Sequence, residues 1–411
     1  ISEENFWQPL KGWWNDMKIR GSYGSLGNQV MDDLGNFPYL ATYGTNSSYN
    51  YLINGSKPVI VKAPGLVAPD FTWETVTQMD FGFDASFLNN RLTGTFDWYR
   101  RNTKDMLVAG ATLPATLGAS VPKSNSADMK TIGWELSLGW NDRLENGFSY
   151  WVKGVLSDYQ ATITKYAGND AGFYSQSDGD GKYYVGQKIG EIWGYHSNGL
   201  FQSDDEAATI DQSELYAGKW GAGDVKYEDL DNDGKITKGE ETIYNPGDKS
   251  IIGNKTPRYQ FGITVGFDYK NFDFEMFWQG TGKRDYMLSG AQFWGFTSQW
   301  DVPYTPALDY WTETNTDAYF PRPGWQNGGN RVTSDRYLQS AAYGRLKNLT
   351  VGYTIPKNLT TKWGISRLRL YVTGENLLTI TPLNDAFDPE TLGGMTYPIN
   401  RKVAIGLNLT L

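Results

Sequence analysis

The chain has 411 residues, 46 acidic against 37 basic side chains and a net charge of −9, a balance that excludes electrostatic attraction to nucleic acid. Cysteine is absent, which removes thiolate chemistry and disulfides, and the single histidine, His196, is the one residue on which Ser-His-Asp catalysis could rest. No apolar run of about 18 residues occurs, so no transmembrane helix is expected; a β-barrel stays open, because lumen residues and loops dilute its hydropathy.

In chain order, the sequence opens at Ile1-Ser2-Glu3-Glu4 without a secretory leader, which reads as a piece of a longer polypeptide. Ten strands are expected, roughly over 17–27, 72–88, 91–107, 128–141, 147–163, 257–269, 272–282, 342–354, 366–376 and 401–411. Phe81, Phe83, Ala85 and Phe87 alternate with Asp80, Gly82, Asp84 and Ser86, and Leu92, Phe96 and Trp98 oppose Thr93, Thr95 and Asp97. Ile132, Trp134, Leu136, Leu138 and Trp140 share the next apolar face. Tyr259 to Tyr269 and Phe272 to Trp278 repeat the pattern, and Val403, Ile405, Leu407, Leu409 and Leu411 close the chain with it.

Short turns at 89–90, 141–147, 269–272 and 356–366 alternate with long connections at about 28–71, 108–127, 164–256, 283–341 and 377–400. An up-and-down barrel with short periplasmic turns and long outer loops has this asymmetry. The expected fold is therefore all-β, an antiparallel transmembrane β-barrel whose oily face meets outer-membrane lipid, its last strand running toward the periplasm. Trp98, Trp134, Trp140, Tyr269, Tyr353 and Trp363 are candidates for interfacial girdles.

Several strings are similar to the SusC/RagA-type TonB-dependent transporters, importers of glycans and peptides. They are Lys18 to Gln29, Gly186 to Gln202, Asp309-Tyr310-Trp311 through Arg322, and a closing block of Tyr343 to Pro356, Leu368 to Leu377, Phe387-Asp388-Pro389-Glu390 and Tyr397 onward. The resemblance implies a 22-stranded barrel in the outer membrane of a Gram-negative bacterium, with this chain as its C-terminal part. It implies a SusD-like surface lipoprotein as a lid over the long loops, and energy from TonB. The plug domain and TonB-binding box would lie in the N-terminal remainder of the same transporter. No enzymatic activity is implied. Leu411 departs from the aromatic residue that often ends such barrels.

One string carries metal chemistry. Asp229-Leu230-Asp231-Asn232-Asp233-Gly234-Lys235-Ile236-Thr237-Lys238-Gly239-Glu240 fits the twelve-residue calcium loop, with carboxylates at one, three and five, glycine at six and glutamate at twelve. Lys235 would ligate through its carbonyl and Thr237 directly or through water. Hard oxygen donors suit Ca2+, with Mg2+ as a substitute, in a structural role. Asp-Gly and Asn-Asp strings are also plain turn formers; the completeness of the spacing favours a metal. Flanking helices are not evident, so an EF-hand-like loop within the 164–256 connection is expected.

The 283–341 connection is rich in rings, among them Trp294, Trp300, Trp311 and Trp325, with Arg284, Asp285, Arg331 and Asp335 nearby. Rings beside hydrogen-bonding groups suit an oligosaccharide, a peptide or a protein lid, and equally a loop packing its own core. The rival reading is a secreted, calcium-binding, β-rich glycan-binding protein or glycoside hydrolase. It needs a second sheet to cover each apolar face. A passive porin is a third reading.

Overall fold

The computed structural model describes residues 1–28, 37–46, 52–62, 64–109, 114, 116, 118–119, 121–167, 169, 172, 183–392 and 397–411. Gln29, the end of the first signature string, lies outside the described residues, as do parts of the long connections expected at 28–71, 108–127, 164–256 and 377–400. Ten long strands form one sheet: β1 (Trp14–Asn28), β2 (Glu74–Phe87), β3 (Leu92–Ala109), β4 (Lys123–Arg143), β5 (Ser149–Tyr166), β6 (Arg258–Tyr269), β7 (Phe272–Lys283), β8 (Tyr343–Thr354), β9 (Arg367–Ile380) and β10 (Lys402–Thr410). Each pairs antiparallel with its neighbours in sequence, from β1 at one edge to β10 at the other. The expected strands are all present, and the meander puts every long connection at one end.

Pairing keeps the two faces separate across the sheet. Gly82 opposes Asp97, which opposes Glu135, which opposes Ser157, while Phe83 opposes Phe96, which opposes Leu136. The apolar rows are left uncovered: Phe83, Ile263 and Leu407 are 37, 40 and 57 % exposed. Among the described residues no second sheet packs on them, so a sandwich is ruled out for this sheet and lipid is the medium that fits. On the other face Arg20 bridges Asp84 and Asp97, and Arg369 pairs with Asp273. Polar pairing of this kind belongs to a wet lumen. Glycine is required there where large rings lie across it: a Cβ at Gly266 would meet the Trp151 indole, and one at Gly406 the Tyr371 ring.

Short turns join the strands at the other end. Leu88, Asn89 and Asn90 take left-handed φ values in succession, and Lys270 does so between β6 and β7. Strand ends differ from expectation where the chain leaves lipid. β4 begins at Lys123 instead of 128, because its ladder to β3 continues past bulges through polar residues that no longer alternate.

The main buried cluster lies in the long connections, not in the wall. Tyr195, Leu200, Val225, Tyr227, Phe293, Trp294, Phe320, Tyr337, Leu383, Phe387 and Leu392 pack together there. Asp388 and Glu390, from the closing string, pair with Arg345 and Lys347 of β8 and tie the last long connection to the wall.

Candidate functional site in the long connections

Two connections, 167–257 and 284–342, build this assembly from small ribbons: Glu191–Tyr195 with Lys249–Asn254, Ser197–Leu200 with Val225–Tyr227, and Asp285–Met287 with Leu338–Ser340. Polar side chains lock the ribbons together. Asp224, 1 % exposed, accepts two N–H bonds from Arg322 (3.0 and 2.7 Å) and one from Asn330 (2.8 Å). A buried carboxylate needs that full set of donors. Tyr227 donates to the Gly329 carbonyl at 2.7 Å, and complete burial pushes its hydroxyl well above the ordinary range.

His196 joins three segments. Its Nδ1 lies 2.7 Å from Asp335 and its Nε2 2.7 Å from Ser250, while Asp335 also accepts the Ser197 N–H. The order of partners is that of a Ser-His-Asp triad. What the contacts accomplish is cross-bracing: Ser250 and His196 come from opposite ends of one connection and Asp335 from the other.

The Asp-rich string folds as a tight loop. Asp229 accepts the N–H groups of Asn232 (2.6 Å), Asp233 (3.2 Å) and Gly234 (2.7 Å), and Gly234 adopts φ +85° at the sixth position. Burial opposes ionisation of Asp229, but the three N–H bonds outweigh it and hold the carboxyl below its ordinary range. Asp231 moves the other way: desolvation, then the negative charges of Asp233, Asp248 and Asp229, push it up against one N–H bond. Ile236 is fully buried, and its N–H donates to the Asp211 carbonyl at 2.7 Å, anchoring the loop to the core.

Asp229, Asp231 and Asp248 bring one carboxylate oxygen each within 4.8 Å of one another. Asp233 and Glu240 are not in that group; Asp233 instead accepts the Lys235 N–H at 2.8 Å, and Glu240 is exposed. Thr237 donates its N–H to Asp248 at 2.7 Å, and Lys235 is exposed at the loop edge. Asp248 lies eight residues beyond the twelve-residue window, which is why spacing missed it. The chain reverses after Glu240, and Gly239 and Gly247 touch backbone to backbone, each where a Cβ would come within 2.5 Å of the other's nitrogen. Those two glycines are the signal in the sequence. The acid set fits a hard cation, because three carboxylates converge with no cationic side chain among them.

The four tryptophans separate. Trp294 is 8 % exposed and packs edge-on against Tyr337 at 4.5 Å, so it is a core ring. Trp311 also packs on the cluster, over Gly223. Trp300 and Trp325 stay exposed, at 84 and 46 %.

Comparison with known proteins decides the family. The profile described as "TonB dependent receptor-like, beta-barrel" matches residues 6–377. The chain belongs to that family. Among the curated relatives of this barrel chain, TonB-dependent receptor P3 of Formosa agariphila is 29 % identical over 95 % of the chain and 39 % of its own length. TonB-dependent receptor SusC of Bacteroides thetaiotaomicron is 26 % identical over 100 % of the chain and 39 % of its own length. The chain thus spans about two fifths of the curated relatives it matches. The RagAB peptide transporter superposes with a TM-score of 0.73 over 97 % of the chain and 41 % of its own, at 22 % identity, which shows the shared fold. The SusC/RagA resemblance stands, and the ten strands are a portion of an outer-membrane barrel wall. Among the described residues no helix is long and apolar enough to cross a membrane.

Proposed function

We propose that the chain supplies the C-terminal portion of the barrel of a TonB-dependent importer, which takes up oligosaccharides or peptides together with a SusD-like surface lipoprotein. The observation that carries this reading is the meander itself: one face greasy and uncovered, the other polar, and the long connections at one end, where those after β5, β7 and β9 share a packed cluster. In this reading that assembly faces outward beneath the lipoprotein lid, and exposed Trp300 and Trp325 are its candidates for cargo or lid contact. Passage through the lumen, not bond chemistry, is the function. TonB would act through the N-terminal remainder of the same transporter. Affinity purification of the full-length transporter is expected to bring down a SusD-like lipoprotein with bound glycan or peptide, identified by mass spectrometry. A transporter that purifies alone and whose deletion leaves growth on all such polymers intact defeats the reading.

We also propose a structural Ca2+ site, open to Mg2+, at Asp229, Asp231 and Asp248, with Asp233, the Lys235 carbonyl and Thr237 at its border. Glu240 serves only if its side chain swings inward. Convergence of the carboxylates and the raised Asp231 support this.

A further inference from the structure

Along the wall, the lipid-facing row of β3 changes character. Leu92, Phe96 and Trp98 are followed on the same face by Arg100, Asn102 and Lys104. β3 climbs from a short turn toward a long connection, so these cations sit at the outward border of the apolar belt. The neighbouring strands repeat the change at the same height. Arg100 opposes Met79 and Ile132, the last apolar residues of their rows; Asn102 opposes Lys130; Lys104 opposes Thr75. One step further up, Asp128 opposes Lys165 of β5. With a rise of about 3.4 Å per residue, the four cations cover roughly 13 Å of wall above the belt.

Among the described residues these cations are not held by an ion pair. Arg100, Lys104 and Lys165 are exposed and Lys130 half-buried, and among the described residues none forms an ion pair; Arg100 has only a 3.4 Å bond to Asn102. The two carboxylates on this part of the face are engaged elsewhere: Asp158 by Arg258, and Asp128 by the Asp105 N–H at 3.0 Å. Among the described residues four cations share this lipid-facing surface with one carboxylate, Asp128 opposite Lys165, that no ion pair engages, and the remaining positive charge suits an anion in the membrane.

We propose that this patch binds the phosphorylated headgroup of an acylated glycolipid in the outer leaflet, its acyl chains lying along Phe81, Trp98 and Ile132. Guanidinium and ammonium groups spread over roughly 13 Å of two adjacent strand pairs suit a sugar carrying two separated phosphates, and the apolar rows continue directly beneath them. The inference rests on the outward orientation of the long connections proposed above, and not on the cargo.

The test uses the full-length transporter in nanodiscs containing bis-phosphorylated lipid A, its dephosphorylated form, or phosphatidylethanolamine alone. Native mass spectrometry is expected to show lipid A retained at least tenfold over the dephosphorylated form. The combined variant R100Q/K104Q/K130Q/K165Q should lose that preference while R100K/K104R/K130R/K165R keeps it. Equal retention of the two lipid A forms by the wild type overturns the proposal without any variant having to fold, and equal preference in wild type and the Gln variant overturns the assignment to this patch. The readout involves no cargo, so it stands whether or not import is observed.

Discussion

Asp248 shows how a residue outside a motif joins the acids inside it. It is fully buried, holds the Leu230 and Thr237 N–H groups, and brings a carboxylate oxygen within 4.8 Å of those of Asp229 and Asp231. Calorimetric titration of the full-length transporter is expected to show calcium affinity falling at least roughly tenfold, about 1.4 kcal/mol, in Asp231→Asn and Asp248→Asn, with little change in Glu240→Gln. A larger loss in Glu240→Gln than in Asp248→Asn sinks the three-aspartate site. The pH dependence follows from the two shifts. Asp231 is raised, so without cation its contribution is present below the ordinary carboxylate value of 3.8 and is lost as pH rises through the shifted value. Asp229 is lowered, so its contribution is present above that value and is lost as pH falls. Calcium bound at the proposed site would compete with the Asp231 proton, and its affinity should climb with pH across the carboxylate range.

At the level of elements, the reversal at 239–247 decides whether the acids meet. Gly247 has φ +60° and no room for a methyl group against the Gly239 nitrogen. Gly247→Ala should therefore destabilise this loop by about 1–3 kcal/mol. Hydrogen exchange should show faster exchange of the Thr237 and Asp248 amides, whose partners are each other's segment, with the wall amides unchanged. Unaltered protection there contradicts the close approach. The wall strands obey a simpler rule: alternation fixes which face is greasy, and a shift by one residue would exchange the two faces along the whole strand. That is why their existence was legible to within a few residues, while the start of β4, a polar run from Lys123 to Ser126, was not.

For the whole molecule, what distinguishes a barrel wall from an ordinary soluble sheet is where its packed core sits. Here the main apolar cluster belongs to the connections, and the wall turns its apolar rows outward, uncovered. Purified in detergent, the full-length transporter should be β-rich and run faster on gels before boiling than after, because a barrel closed by hydrogen bonds on every strand resists detergent until heated. A protein that stays monomeric and folded in water without detergent would contradict the lipid-facing assignment.

The sequence by itself determined the ten strands, their two faces and the alternation of short and long connections. These are local signals: side chains at every second position, and turn residues such as Asn89 and Asn90. It also pointed to the Asp-rich loop. Only the tertiary structure decided which acids converge, that Trp294 and Trp311 are packing rings while Trp300 and Trp325 face out, and that His196 braces Ser250 to Asp335. Those outcomes join residues up to 139 positions apart. No periodicity records such meetings, because they follow from how whole connections fold back on one another.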